Sequence, residues 1–135
     1  MKNLIVLVGL PGSGKSTFCD IYEDYYRISQ DEMGKEGHLK NFKQALEENK
    51  DIIIDRCNFN IDQRQRYIKP AKEKGYKTLI IWLQVSAADC KKRIKSRELH
   101  PNLNKNNPNI DKVVDMFHNM FEAPERWEAD EVLYL

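Results

Sequence analysis

The sequence has 135 residues, about the size of one domain, with 41% hydrophobic and 32% charged residues. This composition excludes a disordered chain, and no apolar run approaches the roughly 18 residues that a membrane span requires. The formal net charge of +1 excludes a global electrostatic field as the basis of partner choice. Any nucleic acid partner would therefore have to be bound by a local basic patch.

The predicted elements alternate between strand and helix along nearly the whole chain. The first half is expected to contain a strand at 4–8, a helix at 15–23, a strand at 25–29, a helix at 35–48 and a strand at 52–54. The second half is expected to contain a helix at 60–74, a strand at 78–83, a helix at 87–97, a loop at 100–109, a helix at 110–121 and a strand at 132–135. Asn60 is the expected N-cap of the 60–74 helix, with Gln63 completing a capping box, Gly75 ending the helix and Pro70 kinking it.

Strand–helix alternation predicts a single α/β domain over residues 1–135, a three-layer sandwich of the P-loop NTPase type with a central parallel sheet. Met1 is expected to begin this folded domain, because the N-terminal apolar stretch is too short for a signal peptide. Ligands in such sheets bind beyond the carboxyl ends of the strands. Chemistry is therefore expected near the ends of the strands at Gly9, Ser29 and Asp55.

Residues 9–16 read Gly-Leu-Pro-Gly-Ser-Gly-Lys-Ser, a full match to the phosphate-binding loop G-x-x-x-x-G-K-[ST]. Glycines let backbone N–H groups converge on a phosphate, and the following helix N-terminus adds its positive dipole end. The expected contacts with ATP are Gly12, Ser13, Gly14, Lys15, Ser16 and Thr17. Lys15 would reach the β- and γ-phosphates, and the Ser16 hydroxyl would ligate Mg²⁺.

Asp55, which closes the strand at 52–54, is the expected acidic partner of Ser16 for the metal or its water shell. The alternative is an aspartate that caps the following turn, a common role for this residue. The three cysteines, Cys19, Cys57 and Cys90, show no metal-ligand spacing and are typical of reduced thiols in a cytosolic protein.

A phosphate-binding loop alone is compatible with a GTPase switch, a mechanical ATPase or a kinase. The guanine-reading N-K-x-D motif of GTPases is absent from the sequence, and nothing in it resembles the long additional domains of motor ATPases, which together favour a kinase. Asp31, just after the second predicted strand, is a candidate general base, with Glu32 as the weaker rival. Asp31 could equally be the N-cap of the next helix.

Arg93 and Arg97 lie on one face of the predicted 87–97 helix, just before the loop at about 98–109. Such a pair could close over ATP as part of a mobile lid and stabilise charge on the transferring phosphoryl group. The alternative is a solvated basic face, which charge runs usually form.

Four segments resemble the kinase domain of polynucleotide 5′-kinases, the family of bifunctional end-healing enzymes. They are residues 9–17, the run Ser-Gln-Asp-Glu-Met-Gly at 29–34, residues 53–58 with Arg-Gln-Arg-Tyr-Ile at 64–68, and residues 116–124 ending in Phe-Glu-Ala-Pro. The resemblance implies transfer of the ATP γ-phosphoryl group to a 5′-hydroxyl of DNA or RNA. It also implies that Asp31 is the general base and that Arg93 contacts the donor phosphates.

The sequence departs from the family at Gly34, where the phage enzymes carry an arginine. The acceptor phosphates are therefore expected to be bound by Lys35, Arg56 or Arg64. The full set of expected acceptor contacts is Asp31, Lys35, Arg56, Asn58 and Arg64. No phosphatase or ligase module is visible in the sequence, so a chain that heals ends is expected to add the 5′-phosphate only or to act beside a separate ligase or phosphatase. The cysteine usage and the lack of a long apolar run predict a cytoplasmic, non-membrane protein.

Two other functions remain open at this stage. One is a small-molecule kinase on the same scaffold, acting on a sugar, nucleoside or antibiotic hydroxyl. The other is a non-catalytic nucleotide-binding module of a ligase or repair assembly. DNA or RNA preference and oligomeric state are left open.

Overall fold

The computed structural model describes residues 1–96 and 110–135. The described residues form one five-stranded parallel sheet in the order β2-β3-β1-β4-β5. The strands are β1 (Asn3–Val8), β2 (Tyr26–Ile28), β3 (Ile52–Ile54), β4 (Lys77–Trp82) and β5 (Glu131–Tyr134). The predicted α/β fold with a central parallel sheet is confirmed.

Six α-helices connect these strands in the described parts of the chain. They are α1 (Lys15–Cys19), α2 (Gln30–Met33), α3 (Lys35–Glu47), α4 (Ile61–Glu73), α5 (Ala87–Ser96) and α6 (Ile110–Met120). Two 3₁₀ turns, Asp20–Tyr22 and Arg126–Glu128, complete the described elements. The helix expected at 15–23 is therefore split, and the short helix α2 had not been predicted.

The two faces of the sheet are covered by different helices, as a parallel sheet requires. On one face, alternate β1 residues such as Leu4 and Val6 pack with Phe42 of α3 and Ile68 of α4. On the other face, Ile5 and Leu7 of β1 pack with Cys19 and the partly buried Phe18 of α1. All four of these β1 side chains are nearly or fully buried, which explains why β1 is an unbroken apolar run rather than an alternating one.

A third apolar cluster lies beyond the carboxyl end of β1. Leu10, the second residue of the phosphate-binding loop, packs there against Cys90 and Ile94 of α5 and Ile110 and Val114 of α6. The loop is thereby fixed on one side by α5.

Asn60 is the N-cap of helix α4, as the sequence predicts. The side chain of Asn60 accepts a hydrogen bond from the backbone N–H of Gln63 at 2.8 Å, and Pro70 lies inside the helix. No helix in residues 1–96 or 110–135 combines the length and the hydropathy needed to cross a bilayer.

Candidate functional site

The phosphate-binding loop joins the end of β1 at Val8 to the start of α1 at Lys15. Gly12 and Gly14 have φ angles of 85° and 98°, which side chains rarely adopt. A Cβ atom on Gly12 would also stand 2.7 Å from the carbonyl oxygen of Cys90. The glycines are therefore required by the backbone conformation and by the close approach of α5.

Lys15 is largely buried, and its ammonium group lies within the loop. Its Nζ donates hydrogen bonds to the carbonyl oxygens of Gly9 at 3.0 Å and Leu10 at 2.8 Å, and to Ser13 Oγ at 3.4 Å. Ser16 and Thr17 are exposed in the first turn of α1. These groups converge at the helix N-terminus, where anionic ligands are favoured by the exposed N–H groups and the helix dipole.

Arg93 of α5 reaches the same loop. Its Nη1 donates to the carbonyl oxygen of Ser13 at 3.4 Å, and it is the atom nearest to where a Cβ on Gly14 would stand. Arg93 was expected to contact ATP because of its place in a basic helix. The structure brings it next to the glycines of the loop, although it lies 80 residues from Ser13 in the sequence. Arg97 and the lid at about 98–109 lie outside the described residues.

Asp55 lies at the end of β3, next to the first turn of α1. The Ser16 hydroxyl donates to Asp55 Oδ2 at 3.3 Å, so the two expected metal ligands are neighbours. In residues 1–96 and 110–135, no group of three or more His, Cys, Asp or Glu side chains could hold a metal. The pair agrees with Mg²⁺ sites in which few protein oxygens are supplemented by water and substrate phosphates.

Arg27 of β2 is a member of this site that sequence reasoning missed. Its Nε donates to Asp55 Oδ2 at 2.9 Å, its Nη2 contacts the same oxygen, and Nη2 also donates to Ser16 Oγ at 3.3 Å. Its Nη1 lies 3.6 Å from a carboxylate oxygen of Glu32. Glu32, the weaker rival for the base, is therefore paired with a cation.

Asp31 lies in the first turn of α2, and the N-cap of that helix is Ser29. The N-cap of the following helix α3 is Gly34. The alternative interpretation of Asp31 as a helix N-cap is therefore wrong. Its exposed carboxylate lines a cavity beyond the carboxyl ends of β2 and β3.

That cavity, which we call the acceptor cavity, has a volume of about 170 Å³. Its lining combines one carboxylate, one guanidinium, two amides, a thiol and two aromatic rings, from Asp31, Arg56, Gln30, Gln63, Cys57, Phe59 and Phe117. The two phenylalanine rings meet edge to face, with centroids 5.3 Å apart. Lys35 is exposed at the first residue of α3, immediately after Gly34.

Two of the predicted acceptor contacts have structural roles instead. The Asn58 side chain is fully buried and donates through Nδ2 to the carbonyl oxygen of Leu7 at 2.6 Å. It therefore ties the turn after β3 to β1, with a φ of 49° that asparagine tolerates better than most residues.

Arg64 is also fully buried, and its guanidinium forms a two-pronged ion pair with the equally buried Glu128. Nε donates to Glu128 Oε1 at 2.7 Å and Nη2 to Oε2 at 3.2 Å, while Nη1 donates to the Asn58 carbonyl oxygen at 2.8 Å. With every guanidinium nitrogen paired in the interior, Arg64 has no surface to offer an acceptor, and the sequence-based assignment of Arg64 and Asn58 is corrected.

The three thiols are free, as expected. Burial, reinforced by the nearby Asp55 carboxylate, raises the pKa of Cys19 to about 12. Burial also raises the pKa of Cys57, against the opposing effect of the Lys15 charge. Because the thiolate is the nucleophilic form, Cys57 is not activated as a nucleophile at neutral pH.

Comparisons with known proteins show which family and which fold this chain resembles. Residues 35–124 match the family described as AAA domain. The chain is 32% identical over 127 residues to a bifunctional polynucleotide phosphatase/kinase of Schizosaccharomyces pombe, which covers 91% of this chain and 30% of that protein. It is 36% identical over 108 residues to transcription factor bHLH140 of Arabidopsis thaliana, covering 72% of this chain and 12% of that protein. The chain thus spans less than a third of either relative.

Solved structures share the fold at low sequence identity. Kti12 of Chaetomium thermophilum, solved with ADP-AlF3, has a TM-score of 0.67 at 15% identity, over 98% of this chain and 88% of that one. A gluconokinase of Sinorhizobium meliloti has a TM-score of 0.66 at 14% identity, over 98% and 81%. A chain of the Pnkp1/Rnl/Hen1 RNA repair complex has a TM-score of 0.66 at 21% identity, over 88% and 45%.

The resemblance to polynucleotide kinases inferred from sequence motifs is confirmed by these comparisons, as is the P-loop kinase type of fold. At this level they support a nucleotide-binding phosphotransferase domain. The acceptor is not distinguished by the fold, because a small-molecule kinase shares it equally well.

Proposed function

This chain belongs to the AAA domain family, which its residues 35–124 match, and from that premise we propose that it is an ATP-dependent polynucleotide 5′-kinase. The observation that carries the proposal is the acceptor cavity. The Asp31 carboxylate, the Arg56 guanidinium and the Phe59–Phe117 ring pair line this one cavity. Cys57, which also lines it, accepts a hydrogen bond through its carbonyl oxygen from the Gly9 N–H of the phosphate-binding loop at 3.1 Å. A carboxylate can accept the proton of a hydroxyl, a guanidinium can bind a phosphodiester, and aromatic rings can stack on a nucleobase.

The donor side of the site is built from the loop and α5. Backbone N–H groups of residues 12–17 and the Lys15 ammonium would hold the phosphates of ATP. Lys15 now donates to carbonyl oxygens of the loop itself and would donate to phosphate oxygens instead when ATP is bound. Arg93, already against the Ser13 carbonyl, would offset the negative charge that spreads over the transferring group.

The metal-binding atoms fit a small hard cation. Ser16 Oγ and Asp55 Oδ2 are oxygen ligands of the kind that Mg²⁺ prefers, and they lie side by side. When bound there, Mg²⁺ supplies charge neutralisation for the donor phosphates. Arg27 holds the same two oxygens, so this chain brings its own positive charge to the position.

On the acceptor side, Asp31 would accept the proton of the 5′-hydroxyl while the hydroxyl oxygen forms a bond to the γ-phosphorus. The bond between that phosphorus and the β,γ-bridging oxygen breaks, and its electron pair leaves on ADP. Arg56, with Lys35 at the start of α3, would hold the acceptor strand through its phosphates. Asp31 and Arg56 line the same cavity, which has a volume of about 170 Å³.

The products of such a reaction are 5′-phosphorylated ends, which a ligase requires. We therefore keep a separate ligase or phosphatase as a proposed partner, in a cytoplasmic setting. The S. pombe relative, whose name couples kinase and phosphatase, supports the coupling of these activities within one family.

The test uses the wild-type chain and two variants with γ-labelled ATP and a 5′-OH oligonucleotide. Lys15→Ala should lose both ATP affinity and transfer. Asp31→Asn should lose transfer by a factor of about 10² to 10⁴, the usual value of general base catalysis, while ATP binding stays within a few-fold. Equal loss of ATP binding and transfer in Asp31→Asn would show that Asp31 is structural and would remove the proposed base.

A further inference from the structure

Resting on the proposed function, we propose that Tyr67 and His38 are positioning residues that hold the Arg56 guanidinium toward the acceptor strand. Arg56 is the second residue after β3 and lines the acceptor cavity, whereas Tyr67 lies in α4 and His38 in α3. None of the motifs that indicated a kinase assigns a task to either side chain.

The three side chains form a continuous hydrogen-bonded chain. Arg56 Nη1 donates to the Tyr67 hydroxyl at 2.6 Å, and His38 Nε2 lies 2.9 Å from the same hydroxyl. His38 Nδ1 lies 3.0 Å from the carbonyl oxygen of Gly34. Tyr67 is fully buried and His38 is 1% exposed, while Arg56 is half-buried at the cavity.

We call this row of hydrogen bonds from Arg56 through Tyr67 and His38 to Gly34 the relay. The direction of each hydrogen bond in the relay follows from the groups at its two ends, the Arg56 guanidinium and the Gly34 carbonyl oxygen. The Gly34 carbonyl oxygen can only accept, so His38 Nδ1 carries the proton. In the neutral ring Nε2 is then an acceptor, and the Tyr67 hydroxyl must donate to it. The remaining capacity of the hydroxyl oxygen is to accept, and Arg56 supplies the donor. Burial, together with the charges of Arg56 and Arg66, keeps the pKa of His38 low, which maintains the neutral ring.

Packing alone does not account for the hydroxyl. The Tyr67 ring contacts Phe42 edge to face at 5.2 Å, and a phenylalanine ring would make the same contact. Burying a hydroxyl and an imidazole is costly unless both are satisfied. Here the two groups satisfy each other, and the Tyr67 hydroxyl also accepts a hydrogen bond from Arg56. That hydrogen bond restricts the orientation of the Arg56 guanidinium before any ligand binds.

The other end of the chain is equally placed. Gly34 caps α2, the short helix that carries Asp31, and its N–H donates to the Gln30 carbonyl oxygen at 2.8 Å. The relay thus connects the guanidinium on one wall of the acceptor cavity with the end of the helix that carries the candidate base. Its expected effect is on acceptor binding rather than on ATP binding.

The first experiment needs no variant and no activity. Nitrogen-15 NMR of the His38 ring in the wild-type chain at pH 7.5 should show a neutral imidazole protonated at Nδ1. Protonation at Nε2 would reverse the hydrogen bond to Tyr67 and overturn the relay.

The second experiment compares Tyr67→Phe with Ile68→Val, a buried change on the same helix outside the relay. Tyr67→Phe should raise the KM for 5′-OH oligonucleotides about tenfold, the usual effect of losing a hydrogen bond to a charged group, with kcat and ATP affinity nearly unchanged. Ile68→Val should leave that KM unchanged.

Loss of stability in Tyr67→Phe with an unchanged acceptor KM would show that the hydroxyl is merely structural. That result overturns this inference and leaves the proposed function standing. A wild-type chain that phosphorylates no 5′-OH oligonucleotide would instead overturn the proposed function, and the acceptor role of the relay with it.

Discussion

The buried ion pair between Arg64 and Glu128 should be among the most sensitive points of the fold. Replacing Arg64 with methionine keeps an apolar stem of similar size but removes the guanidinium, and it leaves the Glu128 carboxylate without its two charged donors. Breaking a buried pair from one side typically costs about 3–5 kcal/mol, because an uncompensated charge stays in the interior. The Asn58 carbonyl also loses its donor.

Urea unfolding followed by circular dichroism measures this cost. With a slope near 2 kcal/mol per molar urea, usual for a domain of this size, the midpoint of Arg64→Met should fall by about 2 M. The double variant Arg64→Met/Glu128→Leu removes the stranded charge as well and should be more stable than the single variant.

A loss below about 1 kcal/mol in Arg64→Met, or a double variant less stable than the single one, would refute the reasoning. If Arg64→Met folded with normal stability but lost affinity for 5′-OH oligonucleotides, the original assignment of Arg64 to the acceptor would be restored.

Three further outcomes are expected. Gly12→Ala should lose most of its nucleotide affinity, measured by calorimetry, and should have a lower melting temperature. The reason is that the new Cβ would stand 2.7 Å from the Cys90 carbonyl oxygen, at a φ of 85°. An unchanged affinity and melting temperature would contradict the close approach of α5. Arg27→Gln removes a cation that is hydrogen-bonded to Asp55. It should therefore lower, by about tenfold, the Mg²⁺ concentration at which ATP affinity is half-maximal. An increased Mg²⁺ requirement would show that Arg27 assists the metal. His38→Gln should flatten the fall in stability that urea unfolding measures as the pH drops below about 6.5; an unchanged slope would mean that another group titrates there.

The sign of the last prediction follows from proton linkage. Burial lowers the pKa of His38 below its ordinary value of 6.5, so below that pH the unfolded chain binds more protons than the folded one. Stability from the neutral ring is present above about pH 6.5 and is lost as the pH falls toward the lower pKa of the folded state.

Much of the fold could be predicted because local signals and topology agree. The apolar runs at β1 and β3, the glycine loop and the Asn60 cap each report on neighbouring residues only, and strand–helix alternation then imposes a parallel sheet. The short helix α2 escaped prediction because four residues are too few to show a helical period.

The side chains of the candidate site also differ in whether local sequence alone predicts their position. Lys15 and Ser16 belong to a motif whose geometry is local, so their position follows from spacing. Arg27 sits on a three-residue strand and meets Asp55 only because β2 pairs with β3. Nothing in the local pattern marks such a residue as part of a site.

Arg64 illustrates the opposite error. A basic residue in a motif-bearing helix was assigned to a phosphate, whereas its partner Glu128 lies 64 residues further along the chain. Only the folded arrangement of α4 against the Arg126–Glu128 turn shows that the charge is satisfied internally. The Tyr67–His38 contact is hidden for the same reason, since it joins α4 to α3.

The most direct test of the central proposal is an acceptor competition in one reaction. The chain would be incubated with γ-labelled ATP, a 5′-OH DNA strand, a 5′-OH RNA strand, their 5′-phosphorylated counterparts, gluconate and a free nucleoside, and the products would be separated. A polynucleotide 5′-kinase should label the 5′-OH strands alone, with label removable by a phosphatase. Label on gluconate or the nucleoside and none on the strands would contradict the account and assign the site to a small-molecule kinase, and ATP binding without any labelled product would assign it to a non-catalytic module.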